Sequence, residues 1–164
     1  MPDVYGGFGT SLRFYGVDFS IGFTYQLGGQ VLDQGYMFYM DSPAGTSTGN
    51  NYHHDLLNSW TPENSGSNIP RFAYNDSNQA AVSDRFLTSA SYLNIQNITL
   101  GYTLPKRITR KFLVENLRIY FACDNVWYWS KRQGLDPRQA INGITNPYYY
   151  APIRTFSGGV TVTF

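Results

Sequence analysis

From Val17 to Leu27 the sequence alternates without a break: Val17, Phe19, Ile21, Phe23, Tyr25 and Leu27 form one set, Asp18, Ser20, Gly22, Thr24 and Gln26 the other. A helix would wind these residues around its axis, whereas a strand sorts them onto an apolar and a polar face. The preceding segment, 6–15, alternates too, with Phe8, Leu12 and Phe14 at even positions. A two-residue loop at Tyr15-Gly16 makes Phe14 and Val17 a cross-strand pair, so the switch from even to odd parity keeps one continuous apolar face.

Three more strands are predicted. Over 90–104 the apolar set is Ile98, Leu100, Tyr102 and Leu104, while Leu93 and Ile95 have the opposite parity, which marks Gln96-Asn97 either as a bulge or as the point where the strand leaves its one-sided environment. Over 117–127 it is Leu117, Ile119, Phe121 and Cys123, and over 153–164 it is Phe156, Val160, Val162 and Phe164. Short and long connections take turns: Tyr15-Gly16, then 28–89, then 105–116, then 128–152. All the long loops therefore leave one end of the sheet, the layout of outer-membrane barrels with short periplasmic turns and long outer loops. Strands of this length also exceed the roughly 5–6 residues common in soluble sheets.

Composition narrows the classes. Charged residues are 14% of the chain and aromatics 17%, with a net charge of +1. Disorder needs low hydrophobicity and high net charge, and a nucleic-acid binder needs a basic surface; neither is present. One cysteine, Cys123, excludes an internal disulfide framework. Residues 1–7 show no basic segment followed by an apolar one, so no leader is read there. The uncharged run Phe86–Pro105 is interrupted by Thr, Ser, Asn and Gln and is too polar for a helical span, which leaves a closed barrel as the spanning solution. Five strands cannot close, because about eight are the small end of the range, so such a barrel needs further strands. From pattern alone a secreted β-sandwich that binds carbohydrate stays open as the alternative.

Several motifs, taken in order, resemble one family. They are Asp3-Val4-Tyr5-Gly6-Gly7-Phe8-Gly9-Thr10, Phe19-Ser20-Ile21-Gly22-Phe23, Tyr25-Gln26-Leu27-Gly28-Gly29 and Trp60-Thr61-Pro62-Glu63-Asn64. Further on come Ser83-Asp84-Arg85-Phe86-Leu87, Ala90-Ser91-Tyr92-Leu93 and Asn97-Ile98-Thr99-Leu100-Gly101-Tyr102-Thr103-Leu104-Pro105. Leu117-Arg118-Ile119-Tyr120, Asp124-Asn125, Gly134-Leu135-Asp136-Pro137 and Gly158-Gly159-Val160-Thr161-Val162-Thr163-Phe164 complete the series. Together they resemble the late-barrel region of SusC/RagA-type TonB-linked outer-membrane transporters of Bacteroidetes. The resemblance implies an all-β chain, the last five strands of a barrel of about 22 strands, with the plug domain elsewhere. It also implies import of oligosaccharides or peptides across the outer membrane of a Gram-negative bacterium, contact with membrane lipid, a SusD-like surface lipoprotein and, through N-terminal parts, the TonB complex. No cofactor, metal or nucleic acid is implied.

Candidate contacts to ligand or partner are the aromatics at the long-loop end, Trp60, Trp127, Trp129, Tyr148, Tyr149 and Tyr150, set against an interfacial aromatic girdle as the plainer reading. Phe164 ends an alternating strand and resembles the signal read by the barrel-assembly machinery. Arg13, Asp18, Arg118 and Asp124 fall on the polar, lumen-facing side. Lys106, Arg107, Arg110 and Lys111 read as a solvated periplasmic turn, with Phe112 and Leu113 packing back. His53 and His54 are expected to open a short helix, on which adjacent side chains diverge and make a poor metal pair. Asp136 reads as a turn former before Pro137. No nucleophile elbow or phosphate loop occurs, so no enzyme chemistry is expected.

Overall fold

The computed structural model describes residues 1–164 except 44–48, 77, 133, 141, 147 and 149, and only the backbone of Phe112. Five strands form one antiparallel sheet: β1 (Val4–Phe14), β2 (Val17–Leu27), β5 (Tyr92–Thr103), β6 (Asn116–Ser130) and β7 (Thr155–Thr163), in the order β1-β2-β5-β6-β7. The sheet is open, with β1 and β7 at its edges. A short pair, β3 (Gln30–Leu32) and β4 (Leu87–Ser89), forms a second, two-stranded sheet.

The first hairpin pairs Phe14 with Val17. Its loop residues both have positive φ, 45° at Tyr15 and 84° at Gly16, the backbone of a type I′ turn whose twist matches that of the flanking strands. Gly16 is held closely, since its carbonyl accepts from Thr103 N at 2.7 Å and a Cβ at Gly16 would lie 2.6 Å from Thr103 O. Gly16→Ala is therefore expected to weaken the hairpin by about 1–3 kcal/mol. In hydrogen exchange the amides around Phe14 and Val17 should lose protection roughly 5- to 150-fold, and unchanged exchange would refute the turn assignment.

The register of β2 on β5 shifts once, between Gly22 and Phe23, where Gln96 is left out of the pairing. The bulge is the first of the two readings of the parity change, and it keeps one apolar face: Ile21 faces Ile98 and Phe23 faces Ile95, so both halves of β5 put their apolar residues on the same side. On β6 two residues, Asn125 and Val126, oppose that single Gln96. Asn125 takes φ 51° there, and its side-chain amide donates to Ile153 O at 3.2 Å. Cross-strand partners continue the apolar face to β7: Leu100 with Phe121, Ile119 with Val160, Cys123 with Phe156. Phe8 and Phe23 stack at 4.8 Å, Phe121 and Phe156 at 6.0 Å. Leu12, Phe14, Leu100, Phe121, Phe156 and Val160 are nevertheless exposed.

The turn between β5 and β6 holds one helical turn, α2 (Lys106–Thr109), followed by a 3-10 turn over Arg110–Phe112. Leu113 was expected to pack back and does not. It caps this turn in the left-handed conformation, φ 58°, and is exposed. The side chain of Phe112 lies outside the described residues.

The segment after β2 shows no strand period in its sequence. Residues Gln30–Thr88 and Gln139–Tyr149 make a compact unit of their own. Asp33 caps α1 (Gln34–Tyr39) by accepting from Tyr36 N at 2.9 Å, and Asp33 N donates to Phe86 O at 2.9 Å. Met40, Leu56 and Phe86 form the core, with Leu32, Tyr36, Met37, Tyr52 and Ile69 against them. Leu32 and Ile144 form a parallel bridge, reinforced by Thr145 N donating to Leu32 O at 3.0 Å. No helix among the described residues is long and apolar enough to cross a membrane.

Candidate functional site

The face opposite the apolar one carries the sheet's polar chemistry. Asp18 on β2 sits across from Gly101 on β5, and Arg118 on β6 reaches over the same glycine. Arg118 Nε donates to Asp18 Oδ1 at 3.0 Å and Nη2 to Oδ2 at 2.5 Å, a bidentate pair that ties three strands together. A Cβ at Gly101 would lie 2.5 Å from both carboxylate oxygens and from Arg118 Nη2, so the central strand needs a residue without a side chain there. Two of the four charged residues expected on this face thus form a wall-bracing pair. The Arg118 guanidinium also lies 5.2 Å from the ring centroid of Tyr120.

Towards the other end of β5, a second cluster closes over the polar face. Asp136 forms the expected turn, accepting from Arg138 N at 3.1 Å across Pro137. The same carboxylate also accepts from Arg138 Nε at 2.8 Å and Nη2 at 2.6 Å. The remaining guanidinium nitrogen, Nη1, donates to Asn94 Oδ1 at 2.7 Å, and Asn94 Nδ2 donates to Thr24 Oγ1 at 3.0 Å. Tyr128 lies with its ring centroid 4.9 Å from the Arg138 guanidinium carbon. Only 4% of the Asp136 side chain and 15% of the Arg138 side chain are exposed, and Asn94 is 3% exposed. Hydrogen bonding to Asp136 raises the Arg138 pKa above its usual value, against desolvation that lowers it, so the guanidinium stays charged in its buried seat. The single hydroxyl proton of Ser130 is shared between Arg132 O at 2.9 Å and Leu135 O at 3.0 Å, so the chain after β6 is tied back to the end of that strand.

This cluster is missing from the sequence analysis except for the turn at Asp136. Finding Asn94 needs the bulge at Gln96, because that one extra residue decides which side of β5 Asn94 takes. The Asp-x-Arg spacing around Pro137 was the available signal.

The expected aromatic contacts do not fall in one place. β6 runs on to Ser130 instead of ending near 127, and its register sets Trp127 across from Ile95 and Trp129 across from Leu93. Both indoles therefore stand on the apolar face, half exposed, with the Arg154 guanidinium carbon 5.7 Å from the Trp127 ring centroid. With Phe8, Tyr25, Leu27 and Leu93, Trp129 lines an apolar hollow on that face. Tyr128, between the two indoles, is on the polar side. Trp60 belongs to the loop unit, where its amide donates to Ile69 O at 2.9 Å. Tyr148 and Tyr150 are exposed, and Tyr149 lies outside the described residues. Phe164 follows β7 and is exposed.

No family model matches the sequence. Among curated proteins, TonB-dependent receptor P3 of Formosa agariphila is 26% identical over 173 residues, covering 99% of this chain and 16% of its own length. TonB-dependent receptor SusC of Bacteroides thetaiotaomicron is 28% identical over 164 residues, covering 99% of this chain and 15% of its own. Among solved structures, the RagAB peptide importer in its closed-closed state matches 100% of this chain and 17% of the solved chain, with a TM-score of 0.82 at 23% identity. The RagAB peptide transporter gives 0.81 at 24% identity. The chain thus spans about a sixth of the length of the curated relatives it matches. These receptors, SusC among them, are its homologues. Its fold is that of a barrel portion of RagAB.

Proposed function

From a chain whose homologues along its whole length are TonB-dependent receptors, we infer that it forms five wall strands and the outer loops of an outer-membrane importer of oligosaccharides or peptides. The observation that carries this reading is the apolar face: it crosses all five strands, and Leu12, Phe14, Leu100, Phe121, Phe156 and Val160 on it are exposed while Phe19, Ile21 and Phe23 are half-buried. A soluble sheet buries such a face against a second layer. A barrel wall presents it to lipid and turns its polar face to the lumen. The Asp18–Arg118 and Asp136–Arg138 pairs then brace the wall from inside, in a place where ionisable groups meet water or each other.

Trp127 and Trp129 act in this assignment as part of the interfacial aromatic girdle. Trp60, Tyr148, Tyr149 and Tyr150 are the contacts offered to solute or to a SusD-like lipoprotein. Phe164 serves barrel assembly, and β7 seals against a strand from the rest of the barrel, leaving no free edge. Energy reaches the importer from the TonB complex through parts of the protein other than this chain.

Fluorescence quenching tests the orientation. In the full-length protein with Cys123 replaced by Ser, reconstituted in bilayers, a pyrene label on Phe121→Cys should be quenched strongly by lipids brominated on their acyl chains, and one on Ser157→Cys should not. Equal quenching at both positions, or none at Phe121→Cys, would overturn the assignment of faces.

A further inference from the structure

On a helix, two adjacent histidines point apart and hold a metal poorly. The structure removes that premise. Only His54 begins the 3-10 turn His54–Asn58; His53 precedes it as an extended cap, φ −70° and ψ 140°. Its imidazole therefore swings over that of His54, with ring centroids 4.5 Å apart, and both meet the carboxylate of Asp55. His53 Nδ1 lies 3.4 Å from Asp55 Oδ2, and His54 Nε2 lies 3.0 Å from Asp55 Oδ1. One donor atom from each residue falls within 4.8 Å of the others. Ligands at about 2.1 Å from a metal stand roughly 3.0 Å apart at a right angle and roughly 3.4 Å apart in a tetrahedron. The two contacts have these lengths but reach opposite oxygens of the one carboxylate, so a shared metal is met by small rotations of Asp55 and of His54, whose side chain is 80% exposed.

His53 and Asp55 are supported from behind. Tyr36 donates its hydroxyl to Asp55 Oδ2 at 2.8 Å and sets its ring edge-on to His53, 4.7 Å between centroids. Tyr36 in turn packs against the Met40–Leu56–Phe86 core, and His53 N donates to Tyr39 O at 2.9 Å. An outer hydrogen bond of the Tyr36 kind orients a ligating carboxylate. Asp55 N donates weakly to His53 Nδ1, at 3.2 Å, a bond that a metal would replace.

We propose that His53, His54 and Asp55 form a three-ligand site for a transition-metal dication of the zinc type, supported from behind by Tyr36. Two imidazoles and one carboxylate are donors for zinc, nickel or copper, and too few oxygens for calcium. The remaining coordination position faces water. The proposal stands on the loop unit's own geometry and holds whether or not the sheet is a barrel wall.

The test is calorimetric titration of zinc chloride into the full-length protein after chelator treatment, with cobalt(II) absorption as a second readout. The expected result is zinc binding that falls at least about 10-fold in His54→Ala, an exposed position whose loss leaves the fold intact. Tyr36→Phe, which keeps all three ligands, should lower affinity about 10- to 100-fold, and cobalt should give the visible bands of a low-coordinate nitrogen and oxygen site. Zinc isotherms that are the same in the parent, His54→Ala and Asp55→Asn proteins would overturn the proposal, as would absence of stoichiometric binding.

Discussion

Arginine in place of Ile21 is expected to abolish stable assembly of the full-length protein in the outer membrane. Ile21 sits at the middle of β2, across from Thr10 on one neighbour and Ile98 on the other, in the centre of the apolar face. A cation on the lipid face near the midplane costs about 2–4 kcal/mol, which is roughly a 30- to 800-fold shift against the inserted state. The measurement is the fraction of protein that keeps its folded mobility in unheated detergent gels. Ser20→Arg supplies the control, because the neighbouring residue points to the polar face beside Asp18 and Arg118, and that variant should assemble. If Ile21→Arg assembles and Ser20→Arg does not, the faces are exchanged; if both assemble normally, the strand does not face lipid at all.

That pair of neighbours shows why so much of the sheet was legible beforehand. A strand that is apolar on one side and polar on the other writes its orientation at every residue, so Val17–Leu27 and the Phe14–Val17 pairing could be read directly. Even the bulge at Gln96 left a sign, the change of parity between Ile95 and Ile98. The rule fails where both faces carry the same kind of residue. Trp127, Tyr128 and Trp129 are all aromatic, so alternation vanishes just where β6 continues, and the indoles could not be assigned to a side. It fails differently between Gln30 and Thr88. The core there is made of single residues, Met40, Leu56 and Phe86, delivered by short helical turns far apart in sequence, and such a core leaves no period. The helix start at the histidine pair was off by one residue for a related reason. Adjacent residues diverge only when both lie in the helix, and one residue of offset at the cap put the two rings together.

Arg138→Ala is expected to release the chain after β6 from the polar face. The wild-type guanidinium makes three side-chain bonds, two to Asp136 and one to Asn94, in a seat closed off from water. Removing it strands a carboxylate and an amide oxygen that are both nearly inaccessible, a loss of about 3–5 kcal/mol for a buried pair with one partner missing. Hydrogen exchange should report this locally, with the amides of Leu135 and Arg138 losing more than about 100-fold in protection while those in the middle of β2 change little. Arg138→Lys should fail almost as badly, since one ammonium cannot reproduce a fork that satisfies two acceptors at fixed angles. Replacing both partners, Arg138→Met with Asp136→Leu, should recover part of the loss, because no charge is then left alone; recovery stays incomplete since the turn bond from Arg138 N goes with Asp136. If the single alanine variant leaves exchange at Leu135 unchanged, the pair behaves as a surface ion pair worth about 0–1 kcal/mol, and the hold on this segment falls to Ser130 and its two carbonyl partners.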